Sequence, residues 1–319
     1  MGRKIPGFAA AIVGALGTPV WLLGAVALVF GTVALVLSTV VVVQGAEWRA
    51  VLLEKSAVLF SHPHDLVLSP DRRLLYVADV GNNTVQVLDP KTLRIVGKIG
   101  AADLDSPHDV FFDDKGRLLV ADTGNDRVVI YEVRGTEGKQ VGELGGDAFA
   151  SPEGVVQAAD GRIYVTNAGG HNVVIYSGPN LVGSFGSGGT GQGNYVRPHD
   201  IAVAGAGRLL VTDPGNNRIH LVDLQGRLAA MLGPPRFAFN EPKYVALDER
   251  GWLYVADQHN NKIKIYDTDL RQVAVIPSSS GGRAHRLNWP EGVEAHDNRI
   301  WVSDTYNNVI LLYELRELR

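Results

Sequence analysis

Residues 197–223, RPHDIAVAGAGRLLVTDPGNNRIHLVD, hold one unit of a pattern that runs through most of the chain. Pro198 opens it, followed by His199 and Asp200, a short apolar run, and a Gly turn from Gly205 to Gly207. The β-rich run Leu209 to Thr212 ends at Asp213, which starts the turn Pro214-Gly215-Asn216-Asn217, and Arg218 to Val222 alternates again. Short Val/Ile/Leu-rich runs bounded by Gly, Pro, Asn or Asp are the signature of strands joined by tight turns. The opening Pro recurs at Pro63, Pro107, Pro152, Pro198, Pro242 and Pro290, at spacings of 44, 45, 46, 44 and 48 residues. The turn-opening residue keeps the same beat at Asp79, Asp122, Asn167, Asp213, Asp257 and Asp304. Two markers in one phase, with four strand-sized segments in each period, read as the blades of an all-β, six-bladed β-propeller.

The motifs P-x-[DG]-[VIL] and V-[AST]-[DN]-x-x-[NG]-[NDH] resemble those of the NHL-repeat propellers, and the resemblance covers residues 50–319. That family includes protein-interaction modules, RNA-binding modules and one enzyme group, the peptidyl-hydroxyglycine amidating lyases. The resemblance therefore implies a fold without choosing a function.

Composition narrows the choice. A net charge of −4 and a pI near 6.1 leave no basic face for nucleic acid. Cys is absent, which excludes disulfides, thiol catalysis and Cys-ligated zinc.

The first 49 residues form a separate unit: a short tail, a membrane helix and a linker. Arg3 and Lys4 precede a stretch, 8–43, without a charged residue. Because Pro19 interrupts helix, the spanning segment is expected at 21–43, with Trp21 and Trp48 near the two interfaces. The run is longer than a signal-peptide core, so it reads as an uncleaved anchor in the lipid bilayer. The basic tail then places the N-terminus in the cytoplasm and the propeller on the periplasmic or extracellular side.

Blade one shows four runs, His64–Ser69, Arg73–Asp79, Thr84–Leu88 and Arg94–Ile99. Blade six shows only three, Gly292–Ala295, Arg299–Asp304 and Asn308–Leu315. An open ring would leave bare strand edges, so residues 50–56 are expected to supply the fourth strand and close it. The string at 183–194, GSFGSGGTGQGN, lacks the βαβ context and the Lys of a phosphate loop, and reads as a linker.

The position after each opening Pro reads His64, His108, Glu153, His199, Lys243 and Glu291, and the next reads Asp65, Asp109, Gly154, Asp200, Tyr244 and Gly292. The first strand of a blade is innermost, so these positions form a ring at the channel mouth. Imidazole and carboxylate are the ligands that zinc or another divalent transition metal takes, so His64, His108, His199 and Glu153 are candidate ligands. Asp65, Asp109 and Asp200 are candidate acceptors orienting the imidazoles. The resemblance supports this, since amidating lyases bind zinc through three His residues, some of them after a Pro. That family's catalytic Tyr and Arg have no matching positions; Tyr195 and Arg197 lie nearby in sequence. The alternative is a solvated rim in which Lys243 pairs with Glu291.

The Asp-x-x-Asn turns are expected to bond local backbone, without chemistry. His62, His171, His220, His259, His285 and His296 follow no repeat position. Two functions stay open: a scaffold with a protein partner in a membrane complex, and a metal-dependent lyase or hydrolase with the His ring at its centre.

Overall fold

The computed structural model describes residues 48–205, 207–276 and 285–318. The membrane helix expected at 21–43 lies outside them, and no helix among the described residues is long and apolar enough to cross a membrane.

The described strands form six four-stranded antiparallel sheets. Blade one consists of Pro63–Leu68, Leu75–Asp79, Thr84–Leu88 and Ile95–Ile99. Each blade is sandwiched between two others, so both faces of its strands are covered. Every residue of Leu75–Asp79 is accordingly buried, and the core lies between blades: Tyr76, Val85 and Val87 of blade one pack with Val110, Leu118 and Tyr131 of blade two.

Blade six is assembled from the two ends of the described chain. Its sheet order runs from Trp48–Lys55 through Val309–Glu317 and Arg299–Asp304 to the innermost strand Val293–His296. Trp48 sits opposite Glu317 and Lys55 opposite Leu311. The closing strand thus starts two residues earlier than the sequence reading put it. Trp48, expected at the membrane interface, is its first described residue and stands edge-on to Trp252 at 5.1 Å, with the Arg250 guanidinium 4.1 Å over the Trp252 ring. Successive antiparallel strands reverse direction, so Trp48 and Glu317 lie at the face opposite the Pro-His positions.

The Asp-x-x-Asn turns hold the blades in register. In all six, Oδ1 of the turn-opening residue accepts the backbone N–H two residues before an opening Pro, as in Asp79 to Ser61 at 2.7 Å and Asp213 to Val196 at 2.7 Å. Oδ2 of the five Asp residues takes the Asn three positions on, at 2.7–2.9 Å. The residue four positions after each turn opener has left-handed backbone and accepts the N–H of the residue preceding the next blade's Pro: Asn83 to Ser106, Asp126 to Ser151, His171 to Arg197, Asn217 to Glu241, Asn261 to Trp289 and Asn308 to His62. His62 and His171 therefore do occupy repeat positions. The motif hides this because only the backbone conformation, which Asn and Asp adopt at low cost, is common to all six. Asn261→Ala is expected to cost about 1–2 kcal/mol by leaving the Trp289 N–H without its acceptor, read as a lowered midpoint in thermal unfolding.

The Gly-rich segment is held as structure. Arg218 donates to the carbonyls of Thr190, Gly191 and Asn194, each at 2.9 Å, while its Nε bonds Asp213.

Candidate functional site

The innermost strands of blades one, two, three and five each shift register just after the opening Pro, between Pro63 and Leu66, Pro107 and Asp109, Pro152 and Val155, and Pro242 and Val245. A bulge of this kind re-aims side chains, and it turns the residue after each Pro toward the channel. Gly154 and Gly292 serve a different need. A Cβ on either would clash with the next blade's His carbonyl, that of His199 for Gly154 and that of His64 for Gly292, so Gly lets those backbones close in.

The three imidazoles converge. Ring centres are 4.5 Å apart for His64 and His108, 6.1 Å for His108 and His199, and 6.2 Å for His64 and His199. Glu291 joins them from blade six: its Oε2 lies 3.2 Å from His64 Nδ1 and 3.8 Å from His199 Nε2. Glu153 approaches His199 Nε2 from the other side at 3.0 Å. His64, His199 and Glu291 thus form a donor group within 4.8 Å of one another. The separations of 3.2 and 3.8 Å bracket the edge, about 3.4 Å, of a tetrahedron of ligands about 2.1 Å from a zinc ion. His64 Nδ1, His199 Nδ1 and Glu291 Oε2 are buried and make no hydrogen bond. His108 turns Nδ1 to the Ser106 carbonyl at 2.8 Å, which leaves Nε2 as its free nitrogen.

Protonation follows from burial. Desolvation, and then the Lys243 charge, bring His64 down to about 3; desolvation and then His64 bring His108 to about 3; His199 is pushed well below the usual imidazole range. All three are neutral at physiological pH, the state that binds metal. Burial lifts Glu153 to about 7 and raises Glu291.

Two supporting residues were not singled out from the sequence. Gln258, in the blade-five turn, donates to Glu291 Oε1 at 2.5 Å and leaves Oε2 facing the imidazoles. Tyr244 reaches across the channel from blade five, bonds the His108 carbonyl at 2.8 Å and stands edge-on to His199 at 4.9 Å. It forms a floor beneath the ring. Glu291 stood in the sequence pattern as a partner for Lys243, but Lys243 makes no ion pair among the described residues, and Glu291 turns to Gln258 and the imidazoles instead.

The Asp residues do not orient imidazoles. Asp65 accepts the Val110 N–H at 3.4 Å, Asp109 that of Val155 at 2.5 Å, and Asp200 that of Val245 at 2.7 Å. Neighbouring side chains on a strand point to opposite sides, so an Asp next to a ring His faces the following blade. Below Tyr244 these three and Glu294 line a cavity of about 220 Å³. Tyr195 is buried against His220 at 4.8 Å, away from the ring, whereas Arg197 stands at the rim 3.7 Å from Glu153.

Residues 60–88 and 104–131 match the NHL repeat model. The chloroplastic protein SUPPRESSOR OF QUENCHING 1 of Arabidopsis thaliana is 29% identical over 96 residues, 26% of this chain and 9% of its own length, so the match spans under a tenth of that relative. Among solved structures, a streptogramin B lyase superposes with a TM-score of 0.60 at 15% identity, covering 85% of this chain and 98% of its own. A gluconolactonase of Xanthomonas campestris gives 0.62 at 16%, over 84% and 90%. A virginiamycin B lyase of Staphylococcus aureus gives 0.58 at 13%, over 85% and 99%. Identities this low speak for the fold alone. The chain is a six-bladed β-propeller, two segments of which match the NHL repeat.

Proposed function

We propose that the ring is a divalent-metal centre and that the chain is a metal-dependent lyase or hydrolase tethered to the outer face of a membrane. One observation carries this: buried donor atoms of His64, His199 and Glu291 converge, and two of them, His64 Nδ1 and Glu291 Oε2, make no hydrogen bond. Buried polar atoms normally find partners, and a set of neutral imidazoles with a carboxylate is what zinc or a similar ion takes. His64, His199 and Glu291 would hold the ion, with His108 and Glu153 beside it. The ion would supply Lewis-acid polarisation of a substrate oxygen. Glu153, close to neutrality in its titration, accepts or returns a proton next to His199. Tyr244, bonded to the His108 carbonyl, separates the ring from the lower chamber.

The tether is part of the proposal. The uncharged run at 8–43 is long enough to cross a bilayer. A chain that enters at Trp48, on the face away from the ring, turns the ring toward the aqueous phase.

A scaffold that binds a protein partner is the second reading. It is favoured by the outer strand of blade three, Asn180–Phe185, which exposes Leu181 and Val182 along an edge. Metal analysis of the purified full-length chain separates the two. About one equivalent of zinc, iron or copper is expected, lost when His64, His108 and His199 are replaced by Ala with the fold retained by circular dichroism. A chain that stays metal-free after supplementation leaves the scaffold reading.

A further inference from the structure

The residue before each opening Pro has left-handed backbone in all six blades, with φ of 52°, 51°, 55°, 56°, 52° and 49° for His62, Ser106, Ser151, Arg197, Glu241 and Trp289. The common backbone sends these side chains from the rim in equivalent directions, yet their identities are not symmetric. Ser106 and Ser151 leave the flank over blades two and three low. Trp289 and His62 raise the rim at blades six and one. A bulky residue in this conformation is an outlier, and Trp stands there only in blade six.

Trp289 does not stand alone. Its ring lies 4.6 Å from His259 and 4.8 Å from Tyr306, and Tyr306 lies 5.1 Å from His62. Four rings thus run continuously over blades five, six and one, with Trp289 37% and Tyr306 46% exposed. The shelf borders the donor set. Trp289 is two residues before Glu291, His62 two before His64, and His259 follows Gln258, which bonds Glu291.

A second, independent feature is Lys243. It fills the ring position of blade five, between His199 and Glu291, and is half-buried, with no hydrogen bond or ion pair for its ammonium group among the described residues. Its charge acts on His64, Glu153, His199 and Glu291, which come from four other blades.

We propose that the channel mouth binds a small monoanion carrying a planar ring, the ring lying against Trp289 and Tyr306 and the anionic group on Lys243 Nζ. This deepens the reading of the ring as a metal centre and rests on the mouth being a ligand site.

The test uses the full-length chain in lipid nanodiscs and saturation-transfer NMR with benzoate, benzamide and acetate. Benzoate is expected to bind about fivefold or more tightly than either control. Trp289→Ala should weaken benzoate by about fivefold without changing acetate, and Trp289→Phe should restore most of it. Lys243→Met should weaken benzoate and spare benzamide. Equal binding of benzoate and acetate, or benzoate binding unchanged in Trp289→Ala or Lys243→Met, overturns the proposal. Metal content is measured on the same samples. Ring selectivity without metal counts against the metal reading alone, and bound metal without ring selectivity counts against this subsite alone.

Discussion

A chain lacking residues 1–56 is expected to melt about 10 °C or more below one lacking residues 1–46. The two differ mainly by the closing strand, which pairs with Val309–Glu317 at seven positions. Ser56 adds two further bonds to Ile310, each at 2.9 Å, and Trp48 covers Trp252 and Arg250. A net contribution near 1 kcal/mol per hydrogen bond, with partial burial of the side chains, puts the loss at about 5 kcal/mol. For a domain of this size each kcal/mol moves the midpoint by about 2–4 °C. The shorter chain also bares the edge of Val309–Glu317, an invitation to pair with another molecule, so it should associate on heating. Differential scanning calorimetry of both proteins decides the matter, and equal midpoints would show that the ring is held without its closing strand.

How much of this was legible in the sequence depends on what kind of signal each feature leaves. Blades leave a strong one, because every repeat must alternate apolar runs with turns. Thr84–Leu88 and Arg299–Asp304 keep the bounds read from the sequence, and Val309–Glu317 differs only at its ends. The convergence of His64, His108 and His199 was also legible, because pseudo-symmetry makes one position in each repeat a ring. Pairwise contacts within that ring were not. Glu291 and Lys243 look complementary as letters, but the choice of partner is set by Gln258, whose slot is filled by Val80, Thr123, Ala168, Pro214 and Thr305 in the other blades. The Asp residues beside the ring misled for a local reason: adjacency in a strand means divergence in space. Tyr244 left no signal at all, since a Tyr in an Asp slot says nothing of a bond to a carbonyl 136 residues away.

The other large effect is expected across pH. Burial raises Glu153 to about 7 and Glu294 to about 8, the latter with help from the Glu249 charge; Asp109 is raised to about 6, and Asp65 and Asp200 well above the carboxylate range. A raised carboxyl favours the folded state while protonated, so its contribution is full below the ordinary value and is lost as pH rises through the folded one. The buried imidazoles act in the opposite sense. Their folded values are lowered, to about 3 for His64 and His108, so they cost stability only as pH falls below about 6.5. Above that point the carboxyls act alone. Between pH 6.5 and 8.5 Glu153 and Glu294 together should remove about 3 kcal/mol, a fall of about 5–10 °C in melting temperature. Glu294→Gln should abolish the larger part, because it keeps the shape and deletes the titration. Zinc added at pH 8 should recover stability in the wild-type chain by binding the folded state, and should not do so in Glu291→Gln, which loses the donor between His64 and His199. A flat profile in metal-free protein would mean that the two carboxyls are already compensated, and a zinc effect that survives Glu291→Gln would place the ion somewhere other than the ring.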